Sequence, residues 1–257
     1  MRQRTARKSS AKPQSARKIG LARALSKLGY CSRQQGAVLI RDGKVRLNGT
    51  TPKNPETPVR LGTDRIEVQG RSLKPAEKIY LMLNKPRGIV TSASDEKGRD
   101  TVYTLLPEGL TWLAPVGRLD KASEGLLLFT NDSEWNARVT DPATHLDKTY
   151  HVQIATIANS ALLESLKRGV ETAHGETLRC KSARLLRAGE KNSWLELLLD
   201  EGKNRHIRRM LDALGIEVLR LIRVAIGPLQ LRDLPKAAHR HLTPAELTAL
   251  NRAIASA

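Results

Sequence analysis

The most apolar run of the chain, Leu126-Leu127-Leu128-Phe129, directly follows the loop "PVGRLDKASEG". Large consecutive apolar residues bounded by turn-forming glycines read as a buried strand. A buried strand needs a sheet around it, so the chain is committed to a packed core containing β-structure. The loop ahead of this strand is unusual. It holds one carboxylate, Asp120, between Arg118 and Lys121, with Gly117 and Gly125 on either side. A lone aspartate among cations at the mouth of a buried strand asks for a chemical explanation.

The overall charge narrows that explanation. Against 26 Asp and Glu stand 44 Lys and Arg, a formal charge of +18 over 257 residues. Such an excess favours a polyanionic partner, either nucleic acid or an anionic membrane surface. No apolar run approaches the roughly 18 residues needed to span a bilayer. The N-terminus lacks the apolar core of a signal peptide, so a cytoplasmic protein is expected. Lying on a membrane would take an amphipathic helix with cations opposite a broad apolar face, and the C-terminal segment is too weakly basic for that. Cys31 and Cys180 are isolated thiols without metal or disulfide spacing, expected to be buried and inert.

Residues 1–18 carry seven basic residues and no acidic one, the composition of a disordered basic arm. Order is expected from Ile19. Leu21, Leu25 and Leu28 recur at helical spacing, and Gly29 is placed to end the helix. Ser32 with Gln35 makes a capping box for a second short helix. Asn48-Gly49 inside "VRLNGT" signals a hairpin. Residues 19–72 thus read as a small α/β unit, with Arg23, Lys27 and Arg33 gathering on one side as a face for RNA phosphate. Residues 73–78 read as a linker.

Residues 79–257 read as a larger α+β domain. "IYLMLNK" is a buried strand stopped at Pro86, with "GIVTS" as its expected neighbour. "LLLFT", "KTYHVQI", "SWLELLL" and "VLRLIRVAI" are further strands. Leu162, Leu163 and Leu166 form a helix closed by Gly169. In "DEGKNRHIRRMLDALG", Ile207, Met210, Leu211 and Leu214 give one apolar helical face. Thr243, Pro244 and Glu246 open a last helix. Hairpin-scale connections between some strands favour α+β over a regular βαβ array.

Several chemistries are set aside. The chain has no phosphate-binding G-x-x-x-x-G-K-[ST] loop, no G-x-G-x-x-G, no H-E-x-x-H and no G-x-S-x-G. Its six histidines are scattered, so no metal site and no cofactor are expected. If the chain is an enzyme, its side chains act unaided, which returns attention to Asp120. Arg118 and Lys121 favour its ionised form. The basic helix start "EGKNRHIRRM" follows another strand, and Arg208 lies about 100° from Ile207, at the flank of the buried face. A carboxylate kept ionised by arginine can act as a nucleophile or a base.

"KPRGIVTS", "PVGRLDKASEGLLLFTND", "KTYHV" and "EGKNRHIRRML" together resemble the motif set of the RsuA-type ribosomal RNA pseudouridine synthases, over residues 79–232. "LSKLGYCSRQQGAVLIRDGKVRLNG" is similar to the S4 RNA-binding domain that precedes the catalytic domain in that family. The resemblance implies a mixed, largely antiparallel sheet in two halves around a cleft, and an enzyme that isomerises uridine to pseudouridine in ribosomal RNA without cofactor or metal. It implies that Asp120 attacks the target uridine, that Tyr150 stacks on the flipped base, and that Arg208 pairs with the aspartate. Arg118, Lys121, Lys203 and Arg205 are then expected to hold substrate phosphate. The family's common last motif has glutamine where this chain has His206, a change expected to bear on local RNA contacts. A monomer acting on ribosomal RNA or a subunit assembly intermediate is the expected state. The main rival is a non-catalytic S4-type RNA-binding or assembly factor. A metal-dependent nuclease would need clustered carboxylates, which the sequence lacks.

Overall fold

The computed structural model describes residues 18–92, 98–107, 110 and 112–256. The basic arm expected over residues 1–18 lies, except for Lys18, outside the described residues. The chain divides into two compact units, Met1–Pro75 and Ala76–Ala257.

The first unit contains strands β1 (Ile19–Gly20), β2 (Val45–Leu47), β3 (Pro58–Val59), β4 (Ile66–Val68) and β5 (Arg71–Ser72), with helices α1 (Leu21–Lys27) and α2 (Arg33–Arg41). The capping box opens α2: the Ser32 hydroxyl accepts from the Gln35 N–H, and the Gln35 side chain accepts from the Ser32 N–H. Leu21, Leu25 and Ile40 from the helices meet Val45, Val59 and Val68 in one apolar core. The Asn48-Gly49 turn forms, with φ of 50° and 85°, but its return is a single bridging residue, Thr50 opposite Leu47. The Asn48 side chain donates to Asp64 and accepts from the Arg65 N–H. That draws β2 onto β4, with Val45 opposite Val68.

The second unit has strands β6 (Tyr80–Lys85), β7 (Ala114–Val116), β8 (Glu124–Thr130), β9 (Lys148–Ile154), β10 (Val170–Glu171), β11 (Thr177–Leu178), β12 (Ser182–Ala188), β13 (Ser193–Leu199), β14 (Val218–Ile226), β15 (Leu229–Gln230) and β16 (His239–His241). Its α-helices are α3 (Ser133–Thr140), α4 (Ser160–Arg168), α5 (His206–Asp212) and α6 (Pro244–Ala255). One nine-stranded sheet runs β12-β13-β9-β14-β8-β6-β16, with β15 added to β14 and β7 to β8. Its pairings are antiparallel except for β8 with β14, the mixed, largely antiparallel sheet expected. Residues 89–92 do not form a strand beside β6. Val90 instead bridges Thr101, and the Thr91 hydroxyl donates to the Leu119 carbonyl, so this segment braces a loop.

The cores follow the side-chain patterns. Val152, Ile154, Leu195 and Leu197 lie under Leu166 of α4 and Ile207, Met210 and Leu211 of α5. Met82, Leu126 and Leu128 lie under Trp135 and Val139 of α3 and Leu250 and Ile254 of α6. Leu127 and Phe129 on the opposite face pack with Leu81, Leu83 and Leu119. Strand β8 is therefore buried at every position.

One edge of β8 pairs with β6 along its length. On the other edge β14 reaches only Glu124 and Gly125, and β7 takes over at Leu128. The sheet forks at Leu126. Gly125 makes the fork possible: its φ is 102°, and a Cβ there would sit 2.3 Å from the Arg223 carbonyl oxygen. Any side chain at this position would push β14 away.

Candidate active site

The fork opens into a cleft of about 680 Å³. Gly117, Arg118, Leu119 and Asp120 line it from the loop before β8, and Lys148, Tyr150 and Arg223 line it from the sheet. Lys203, Arg205 and His206 line it from the entry to α5.

The Asp120 loop is held by its main chain. Lys85, at the end of β6, is fully buried. Its ammonium donates to the carbonyl oxygens of Pro86 at 3.1 Å, Asp120 at 3.2 Å and Ser123 at 2.9 Å, using all three donors it has. Burial pushes the Lys85 pKa down to about 8, against the pull of Asp120 and Glu124. The Ser123 N–H adds a bond to the Asp120 carbonyl at 2.9 Å. Where the loop enters β8, buried Glu124 accepts from Nε and Nη2 of Arg220, both at 3.0 Å, and pairs with Lys236. Burial alone would raise the Glu124 pKa; the two cations outweigh it and hold the carboxyl below its ordinary value. The half-buried Asp120 carboxylate takes part in none of these bonds and is left to the cleft.

Arg208 stands behind the loop rather than in the cleft lining. Its Nη2 donates to the Ala122 carbonyl at 3.0 Å and its Nη1 to that of Val218 at 3.4 Å, tying α5 to the loop and to the start of β14. Burial and then Arg205 lower its pKa, while the charge of Asp120 works the other way. Tyr150 is half-buried on β9, directly opposite Arg223 of β14. Exposed Arg118 and Arg205 flank the cleft, and Arg205 takes a left-handed φ of 50° as the N-cap of α5. Lys203 is engaged with Glu201 at 3.0 Å and Glu176 at 3.4 Å. Lys121 is exposed and outside the lining. His206 is buried, with Nε2 3.0 Å from the Arg179 carbonyl and Nδ1 3.4 Å from Glu201; burial lowers its pKa. Its ring thus joins the start of α5 to the backbone at Arg179.

In the first unit, Arg23 and Arg33 come together with Arg41 around a shallow hollow that Glu56 also lines. Lys27, at the end of α1, stands outside it. Among the described residues no group of three or more His, Cys, Asp or Glu could hold a metal ion.

Sequence reasoning missed Lys85, Lys148 and Arg223. The signal was present: each is a cation within a strand-like apolar run, "IYLMLNK", "KTYHVQI" or "VLRLIRVAI", where a charge needs a reason. For Lys85 the structure supports a definite expectation. Lys85→Met removes a buried charge together with three bonds, effects that oppose each other in stability. Melting temperature should fall by only a few degrees (roughly 1–2 kcal/mol), while turnover falls about tenfold or more as the loop loses its tether. The sign of the pH effect follows from the depressed pKa. Relative to the methionine variant, wild type should gain stability as pH climbs from about 8 toward the ordinary 10.5. Melting curves and single-turnover rates across that window check both statements.

Residues 79–213 match the family model for RNA pseudouridylate synthase, and residues 19–76 match the S4 domain. The chain is 38% identical over 238 residues to ribosomal large subunit pseudouridine synthase B of Bacillus subtilis (strain 168), covering 91% of this chain and 96% of that protein. It is 35% identical over 231 residues to an RNA pseudouridine synthase of Aquifex aeolicus described as uncharacterized, covering 90% and 92%. A crystal structure of a pseudouridylate synthase superposes with a TM-score of 0.64 at 30% identity, over 90% of this chain and 99% of that one. The chain therefore belongs to the RNA pseudouridylate synthase family, with an S4 domain ahead of the catalytic one.

Proposed function

We propose that the protein converts a specific uridine of ribosomal RNA to pseudouridine, with Asp120 as the nucleophile and no cofactor. The observation that carries this reading is the Asp120 carboxylate, free of the bonds that fix its own loop and sharing one cleft with Tyr150. Attack by the carboxylate lets the N1–C1′ bond break; the base turns, C5 bonds to C1′, and the proton on C5 is released while N1 gains one. Product and substrate are isomers, so neither oxidant nor reductant is consumed, which supports cofactor-free chemistry. Bringing the uridine out of its stack costs a few kcal/mol, and stacking on Tyr150 returns roughly 1–3 kcal/mol. Arg118 and Arg205 are placed to hold the flanking phosphates, and Lys203 to join them on exchange from its acidic partners. Lys121 serves phosphate farther out. Arg208 positions the loop. The protein acts as a monomer in the cytoplasm; among the described residues no helix is long and apolar enough to cross a membrane. Ribosomal RNA as the substrate is supported by the Bacillus relative, whose name places it on the large ribosomal subunit.

The deciding experiment is to map pseudouridine in ribosomal RNA from cells with and without the protein, then restore the missing site with purified protein. An unchanged map would leave the non-catalytic assembly factor as the better reading. The S4 unit and the arm should supply affinity through Arg23, Lys27 and Arg33, whose phosphate contacts release counterions. A 73–257 fragment is therefore expected to bind the target RNA more weakly, with a flatter salt dependence, and to retain slow turnover at high RNA concentration. Binding and single-turnover rates over a salt series test this. Equal salt slopes would make those three cations solvated surface.

A further inference from the structure

We propose that Arg223 donates a hydrogen bond to a carbonyl oxygen of the flipped uracil and stabilises the negative charge that gathers there during the reaction. The proposal deepens the isomerase reading and rests on it.

Arg223 and Tyr150 are directly opposed in the antiparallel β14–β9 pair, so their side chains leave the same face of the sheet. Both line the cleft. Arg223 is only 6% exposed. Its Nε donates to the Leu126 carbonyl at 2.8 Å, capping the backbone oxygen at the fork. Its Nη2, in contrast, is buried and has no hydrogen-bond partner. A buried donor left unmade is costly, and a guanidinium has only donors to offer. Lys148 stands two residues from Tyr150, on the same face and in the same cleft. Burial and Arg223 depress its pKa, while Asp147 and Asp200 oppose the shift. This part of the cleft thus holds two adjacent cations, one with an unused N–H.

RNA offers two kinds of acceptor here, phosphate oxygens and base carbonyls. Phosphates stay on the backbone at the rim when a base is flipped inward. A nearly inaccessible donor beside the proposed stacking ring is placed for the base. Uracil carries carbonyl oxygens at positions 2 and 4, and the chemistry charges them. Attack at C6 pushes an electron pair onto O4. Attack at C1′ expels the base with the N1–C1′ pair, and that charge spreads over N1, O2 and O4 until C5 bonds to C1′ and its proton is lost. A fixed donor at either oxygen is therefore worth more in the transition state than in the bound substrate.

The test uses full-length protein and a synthetic RNA stem-loop spanning the mapped uridine, with that nucleotide as uridine, 2-thiouridine or 4-thiouridine. Sulfur accepts hydrogen bonds poorly. It also alters the acidity of the base, but that effect is common to all enzyme forms and cancels in ratios. Single-turnover rates are measured for wild type, Arg223→Gln and Arg223→Lys. The glutamine keeps a donor near the Leu126 carbonyl while deleting both Nη atoms. On uridine, Arg223→Gln should be slower by about 10²-fold. One thio position should slow wild type about tenfold beyond any slowing of Arg223→Gln, and that position identifies O2 or O4. Equal slowing of both enzymes at both positions overturns the proposal, and so does a wild type indifferent to both sulfurs, which needs no variant to fold. No pseudouridine from wild type on the plain uridine RNA would overturn the isomerase reading itself, a separate outcome.

Discussion

Asp120→Asn is expected to bind the target RNA as tightly as wild type and to form pseudouridine at least about 10⁴-fold more slowly, the scale on which removal of a nucleophile acts. The structure makes this substitution unusually clean. What fixes the loop is the Asp120 carbonyl, which accepts from Lys85 and from the Ser123 N–H. The side chain contributes no bond to that arrangement, so an isosteric amide leaves the loop where it is. Only the carboxylate's ability to form a bond to the substrate is lost. Single-turnover rates and filter binding on the same RNA measure the two quantities independently. A variant within a few-fold of the wild-type rate would remove Asp120 from the chemistry. One that also lost binding would make the carboxylate a recognition group.

The second large effect is expected at Arg208. Its guanidinium joins the Ala122 carbonyl in the aspartate loop to the Val218 carbonyl at the start of β14. Arg208→Ala leaves both oxygens without this donor and removes the cation behind Asp120, so the loop can drift by about an ångström. Misplacement of that order costs about 10²-fold in rate. The loss should fall on kcat with KM little changed, because Arg208 lies outside the cleft lining. Arg208→Lys should recover little of it, since the shorter lysine brings one nitrogen where the planar guanidinium fork reaches the two carbonyls with two separate nitrogens. A loss confined to KM would instead assign Arg208 to RNA binding.

What could be read from the sequence was local. Ser32 with Gln35, and Thr243 with Glu246, cap their helices as expected because all the partners lie within three residues. The apolar character of β8 and the Ile207, Met210 and Leu211 face of α5 were likewise visible in their own spacing, whereas Leu214, expected on that face, lies past the helix end at Asp212 and is exposed. The motifs placed Asp120 and Tyr150 in one cleft, although nothing near Asp120 in sequence shows what holds it. Its tether, Lys85, is 35 residues away, and Arg223 meets Leu126 across 97. Such partners follow from strand order, which short-range patterning does not encode. The same limit explains the missing strand after Pro86. "GIVTS" has the right residues, but Asp100, Val102 and Leu119 claim its hydrogen-bonding groups from a distance.

The fork at Leu126 sets stability against turnover. The cleft exists because β14 and β7 leave part of one edge of β8 unshared, and an arginine side chain takes the place of a strand partner there. Each backbone pair added across the gap would strengthen the sheet and narrow the space for a base. A stability screen blind to catalysis would therefore drift toward extending β7 along β8 from Leu128 toward Leu126, and would return hardier, inert proteins. The margin for safe stabilisation lies in the caps, the helices and the S4 unit. The open stretch of sheet edge is where selection for activity must keep the fold incomplete.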